Sequence, residues 1–203
     1  MDEKLIQEFI LIARRIGRLG LVQCSSGNLS WRINDHIMLI TATGSWMERL
    51  DKEDVAVCKI EDGESLNGIS PSVEVGFHNG IFKIRDDVRM VLHFQSPYAT
   101  AVACIEPSFE NFNLIPEIPY YIGSIKRIPF YVPGSRALAY AVVEAARLNN
   151  MIIMQNHGLV TMAPDADLLL KRALFFELAC KILFIGGKSI KGLSRSQIKD
   201  MGI

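Results

Sequence analysis

Two short apolar-rich runs, 29–33 and 37–41, are separated only by a turn at Asn34-Asp35. This closeness limits the chain more than any other feature. Parallel neighbours need a crossover of a dozen or more residues, whereas runs this close pair as a hairpin. A third run, 55–60, follows and ends at the turn Glu61-Asp62-Gly63-Glu64. Consecutive strands at hairpin distance favour a mixed, largely antiparallel sheet over a doubly wound parallel one.

Helical patterns are interleaved with these strands. Leu5, Phe9, Ile12, Ile16 and Leu19 recur at helical spacing, and Gly17 and Gly20 mark the end of that stretch. Ser70-Pro71 has the chemistry of an N-cap and a first helical position, ahead of the stripe Val73, Phe77, Ile81 and Ile84. A strand over 88–94 leads to Ser96-Pro97 and a helix through Ala103. The stretch 106–133 carries five prolines and is predicted to be extended with loops. Ser135 caps a helix through Leu148. Strands 151–155 and 159–162 flank the turn Asn156-His157-Gly158, and a long helix over 165–185 closes at Gly186-Gly187. The tail is predicted to be loose or a short packing helix. No repeat or linker interrupts the pattern, so one domain over 1–203 is expected.

Composition narrows the function. Of the 203 residues, 22 are basic and 22 acidic, so the formal charge is zero, which argues against nucleic-acid binding through bulk positive charge. No apolar run approaches the ~18 residues of a membrane span, and the start Met1-Asp2-Glu3-Lys4 is not an apolar signal segment. A cytoplasmic setting is expected, with Cys24, Cys58, Cys104 and Cys180 reduced and serving as small apolar fillers. For the same reason the sequon Asn28-Leu29-Ser30 carries no weight.

Four histidines can be weighed singly. His93 lies inside the apolar strand Val91-Leu92-His93-Phe94, a costly place for a polar ring unless it is paired or ligating. His157 sits in a tight turn between two strands, where its ring can project into a cleft. His78 follows Glu74 by four residues, on one helix face, and His36 follows the hairpin turn. Three loops add small polar groups: Ser25-Ser26-Gly27-Asn28, Thr41-Ala42-Thr43-Gly44 and Ser70-Pro71-Ser72. Such loops direct hydroxyls and backbone N–H groups toward an anion such as phosphate.

In order and rough spacing, the segments Ser26-Gly27-Asn28-Leu29-Ser30, Thr41-Ala42-Thr43-Gly44, Pro71-Ser72-Val73-Glu74, Val91-Leu92-His93-Phe94-Gln95-Ser96-Pro97 and Asn156-His157-Gly158 resemble the class II aldolase/adducin family. The resemblance runs from the first helix to about Gly187. It implies a three-layer α/β fold, with a central, mostly antiparallel sheet flanked by helices, assembled as a homotetramer. It also implies a zinc-dependent lyase that cleaves a carbon–carbon bond of a sugar phosphate or related hydroxy-carbonyl compound through an enediolate. On that pattern Glu74 is the acid/base and a metal ligand, His93 and His157 are further ligands, and Gly27, Asn28, Thr43, Gly44 and Ser72 bind phosphate. A tyrosine of a neighbouring subunit donates a proton in the family's aldolases, and Tyr120 and Tyr121 lie in that region.

The chain departs from the family at two positions. Gln95 stands where the second strand histidine is expected, facing the same way as His93, and offers an amide oxygen in place of an imidazole nitrogen. Val73 replaces the second of two serines before the Glu. These departures leave a second reading open, a binding or scaffold protein like the adducin head domain with a degraded metal site. Epimerisation or dehydration on the same enediolate logic is a third. The metal content of the purified protein separates enzyme from scaffold.

Overall fold

The computed structural model describes residues 2–105 and 111–203. Seven strands, β1 (Asn28–Arg32), β2 (Ile37–Thr41), β3 (Val55–Lys59), β4 (Met90–Phe94), β5 (Ile125–Ile128), β6 (Met151–Met154) and β7 (Gly158–Ala163), form one sheet in the order β3-β2-β1-β4-β7-β6-β5. Every pairing is antiparallel except that of edge strand β5 with β6. The expected hairpin is present, with Asn34 Oδ1 accepting from the backbone N–H groups of His36 and Ile37 at the turn.

Period-two alternation divides the sheet between two cores. Leu29, Leu39, Met90, Leu92, Phe94, Ile153 and Leu159 face one side. There they pack under α1 (Glu3–Arg18), α3 (Pro97–Ala103) and α5 (Ala166–Gly186). Met38, Ile40, Val91, Ile152, Val160 and Met162 face the other side, beneath α2 (Val75–Ile84) and α4 (Arg136–Ala146). The result is the expected three-layer α/β arrangement. A short α6 (Arg195–Asp200), held by a Ser194–Gln197 capping box, resolves the tail as a helix.

Several local expectations change. Ser70-Pro71 does not start α2. Pro71 bridges Ala42 in antiparallel fashion, Thr43 N–H donates to Ser70 O and Ser72 N–H to Thr41 O, so this stretch continues the sheet beyond β2. Proline suits such an edge, where no N–H is required of it. The helix begins only at Val75, and Val73 is 64% exposed and does not join the apolar stripe. The proline-rich stretch carries a π-helical turn over Ile118–Ile122 and strand β5, while its residues 106–110 lie outside the described residues. Gly17 lies within α1, and Gly20 follows its end with a positive φ. Of the cysteines only Cys58 and Cys180 are buried; Cys24 and Cys104 are exposed.

One contact between layers is predicted to matter for stability. Ser96 opens α3 without capping it, and the cap comes from Glu177 on α5. The Glu177 carboxylate accepts from Ser96 Oγ at 2.6 Å and from the backbone N–H groups of Tyr98 at 3.0 Å and Ala99 at 2.8 Å. Charge-assisted bonds at a helix N-terminus are among the stronger ones. Glu177→Ala is expected to destabilise the fold by about 3 kcal/mol, measured as a lowered urea midpoint with an unchanged m-value.

Candidate active site

The loops at one end of the central strands enclose a cleft of about 210 Å³. It is lined by the residues expected to hold a metal, a proton or a phosphate: Gly27, Asn28, Thr43, Gly44, Ser72, Glu74, His93, Gln95 and His157. Two close approaches bring the parts together. Gly27, at φ +73°, packs so tightly that a Cβ there would stand 2.6 Å from the His93 carbonyl oxygen. A Cβ at Gly158 would meet Phe94 O and Gln95 Cγ, both at 2.8 Å. Only glycine lets the first loop and the β6–β7 turn close onto β4.

His93 is buried on the α2 side of β4. Its Nδ1 lies 2.9 Å from the Leu159 carbonyl, which can only accept, so Nδ1 carries a proton and Nε2 is the nitrogen turned toward the site. That Nε2 lies 3.6 Å from Glu74 Oε2, and His157 Nε2 lies 3.4 Å from Glu74 Oε1. The two rings meet edge to face, with centroids 4.9 Å apart. Burial pushes the His157 pKa down, His93 adds to the effect, and the Glu74 carboxylate opposes it.

Glu74 is only 5% exposed. It occupies the residue before α2, yet its carboxylate does not cap the helix; it turns toward the sheet. Ser72 Oγ accepts from the Glu74 backbone N–H at 3.3 Å and helps to set that turn. Oε2 accepts from Asn28 Nδ2 at 2.9 Å, while Oε1 is buried with no hydrogen-bond partner among the described residues. One ligand atom from each of Glu74, His93 and His157 lies within 4.8 Å of the others. Two imidazoles and a carboxylate with an unsatisfied oxygen between them fit a divalent metal such as zinc.

Gln95 projects into the same cleft, but its Nε2 donates to the backbone carbonyl of His157, which ties β4 to the β6–β7 turn. Val73 and Pro133 complete the wall. Neither tyrosine of the π-helical turn lines the cleft. Tyr121 stacks on Phe175 at 5.4 Å, and Tyr120 is 62% exposed. His36 is exposed, far along the hairpin.

Sequence reasoning gave no role to His78. The ring is fully buried beneath the site, with Nε2 2.5 Å from Asn28 Oδ1 and Nδ1 2.6 Å from Ser30 Oγ. A signal was present in β1, where Asn28 and Ser30 place polar groups at i and i+2 on the face that meets α2.

A seven-stranded sheet between two helical layers thus carries a buried carboxylate and two imidazoles in a cleft rimmed by hydroxyl-bearing loops. The sequence matches the family described as the class II aldolase and adducin N-terminal domain over residues 7–184, and the chain belongs to that family. It is 31% identical to 3-oxo-tetronate 4-phosphate decarboxylase of Haemophilus influenzae, over 95% of this chain and 93% of the relative. It is 32% identical to L-fuculose phosphate aldolase of Methanococcus maripaludis, over 79% of this chain and 84% of the relative. Among solved structures, YgbL of Escherichia coli superposes with a TM-score of 0.90 at 27% identity, over 97% of both chains. An L-fuculose 1-phosphate aldolase shares the fold with a TM-score of 0.87 at 22% identity. Relatives named as a decarboxylase and an aldolase are enzymes, and the chain is accordingly an enzyme of the class II lyase type.

The buried imidazole of His78 makes stability depend on pH. Burial, aided by His93, pushes its pKa down from 6.5 to about 3. As pH falls below 6.5 the unfolded chain takes up this proton and the folded one does not, so stability is lost between pH 6.5 and about 3. Between pH 6.5 and 5 this one group is expected to remove about 2 kcal/mol. Urea unfolding at both pH values should show a loss in the parent that is smaller in His78→Gln.

Proposed function

We propose that the chain is a metal-dependent carbon–carbon lyase whose substrate is a phosphorylated 3-oxo acid, decarboxylated through an enolate. The single observation that carries the lyase chemistry is the convergence of Glu74, His93 and His157 in one cleft. The decarboxylase relatives support the choice of substrate, since they match along nearly the full length of both chains. A second reading, aldol cleavage of a sugar phosphate, is favoured by the aldolase relatives and needs the same charge stabilisation.

Glu74, His93 and His157 would hold the ion, with Gln95 beside them. When bound, a divalent metal supplies Lewis-acid stabilisation of the negative charge that develops on the substrate's carbonyl oxygen. His93 turns Nε2 toward the site because its Nδ1 donates to Leu159 O. Thr43, Gly44, Ser72 and the loop at Gly27 offer hydroxyls and backbone N–H groups to the phosphate, with Val73 leaving that subsite one hydroxyl poorer. As the carboxylate carbon leaves as carbon dioxide, the bonding pair moves into the enolate, and Glu74, where it enters the step protonated on Oε1, delivers that proton to the resulting carbon and is left as the ionised carboxylate. Low exposure at Glu74 excludes the water that would compete for that proton.

The same reading extends to a cytoplasmic homotetramer. Val73, Phe130, Val132 and Tyr140 are all more than half exposed, a set of apolar side chains that further subunits would cover. Among the described residues no helix is long and apolar enough to cross a membrane. Light scattering should return a mass near four times 22.7 kDa; a monomer at micromolar concentration would remove the tetramer.

Two variants test the chemistry. Glu74→Gln is expected to lower decarboxylation of a 3-oxo-tetronate 4-phosphate by about 10²–10⁴-fold while the protein stays folded. Full turnover by this variant would remove the acid/base assignment. Gln95→His adds an imidazole on the site side of β4 and is expected to bind zinc at least about tenfold more tightly than the parent. Equal affinities by titration would show that position 95 is not a ligand position.

A further inference from the structure

Asn28 is expected from the sequence to hold an anion, yet both atoms of its amide are engaged inside the fold. The chemistry of the groups fixes the direction of each bond. An ionised carboxylate only accepts, so the atom facing Glu74 Oε2 at 2.9 Å is the amide nitrogen. The amide oxygen then faces His78 Nε2 at 2.5 Å and requires a donor, which places the ring proton on Nε2. A neutral imidazole has one N–H, so Nδ1 is left to accept from the Ser30 hydroxyl at 2.6 Å. Burial keeps that ring neutral. Ser30 and His78 have no exposed surface and do not line the cleft, so neither touches a substrate.

We propose that Ser30, His78 and Asn28 form a one-directional donor chain ending on Glu74 Oε2, and that they are positioning residues which fix the carboxylate with Oε2 toward His93 and Oε1 free toward His157. The proposal rests on the reading of Glu74 as acid/base and metal ligand. It has a chemical consequence. Because Oε2 faces a donor, any proton that Glu74 carries resides on Oε1, the oxygen 3.4 Å from His157 Nε2. It also changes the role of Asn28, whose amide orients the carboxylate before it contributes to any anion site.

Nitrogen-15 NMR of the histidine rings in the unaltered full-length protein tests the direction of the chain. His78 should show a single neutral tautomer with its proton on Nε2, and a ring protonated on Nδ1 would overturn the proposal. Zinc titration tests the positioning. His78→Leu should weaken zinc binding by about 10–100-fold, while His78→Gln, whose amide can still donate to Asn28 Oδ1, should recover most of that loss. Ser30→Ala, a milder change that removes the first donor, should weaken zinc by a smaller factor and serves if His78→Leu does not fold. A fall in thermal midpoint with unchanged zinc affinity in both Ser30→Ala and His78→Leu would assign the chain a merely structural role and overturn the proposal. Glu74→Gln run alongside separates the two readings. If it leaves zinc affinity intact, the ligand role of Glu74 falls, and the tautomer of His78 alone decides the chain.

Discussion

A carboxylate taken out of water must find partners or lose its charge, because the desolvation penalty amounts to several kcal/mol for an ion. Glu74 meets that condition asymmetrically. One oxygen is held by Asn28, and the other is buried beside the His157 ring with no hydrogen-bond partner among the described residues. Much of the α2 side of the sheet follows from this need. Asn28 must face inward on β1, His93 must point the same way on β4, and the segment before α2 must stay extended until residue 74 can turn its side chain to the sheet.

The sheet supplies the geometry through antiparallel register. Asn28 stands opposite His93, and His93 stands opposite Val160, two residues beyond the turn glycine that follows His157. Three strands thus bring an amide and two imidazoles to one end of the sheet without any long loop. The opposite face is given mainly to apolar packing under α1, α3 and α5, with Glu177 the polar fastener that fixes α3 to α5. The site therefore shares its side of the strands with one apolar core, while the other core lies wholly behind it.

What was legible in the sequence depended on short range. The hairpin, the cap at Ser135, the α3 start at Pro97 and the long α5 all rest on neighbouring residues, and all are present. His93 and His157 could be placed because strand alternation and a tight turn are local facts. Ser70-Pro71 misled because its partner, Ala42, lies almost thirty residues away and converts a helix-start signal into a sheet edge. The parallel pairing of β5 with β6 was hidden for the same reason, inside a proline-rich stretch with little periodicity. His78 was visible as a neighbour of Glu74, but its link through Asn28 crosses fifty positions of sequence and appears only once β1 and α2 are packed.

The support of Glu74 runs through the interior, by way of Ser30, His78 and Asn28, while the cleft rim is built from Ser25, Ser26, Thr43, Gly44, Val73 and Pro133. These two sets share almost no residues. Replacements along the rim can therefore accumulate without loosening the reacting carboxylate, much as a lock can be re-keyed without recasting its bolt. Such a division would let the rim vary while the buried frame stays fixed, and the chain's relatives carry the names of both a decarboxylase and an aldolase.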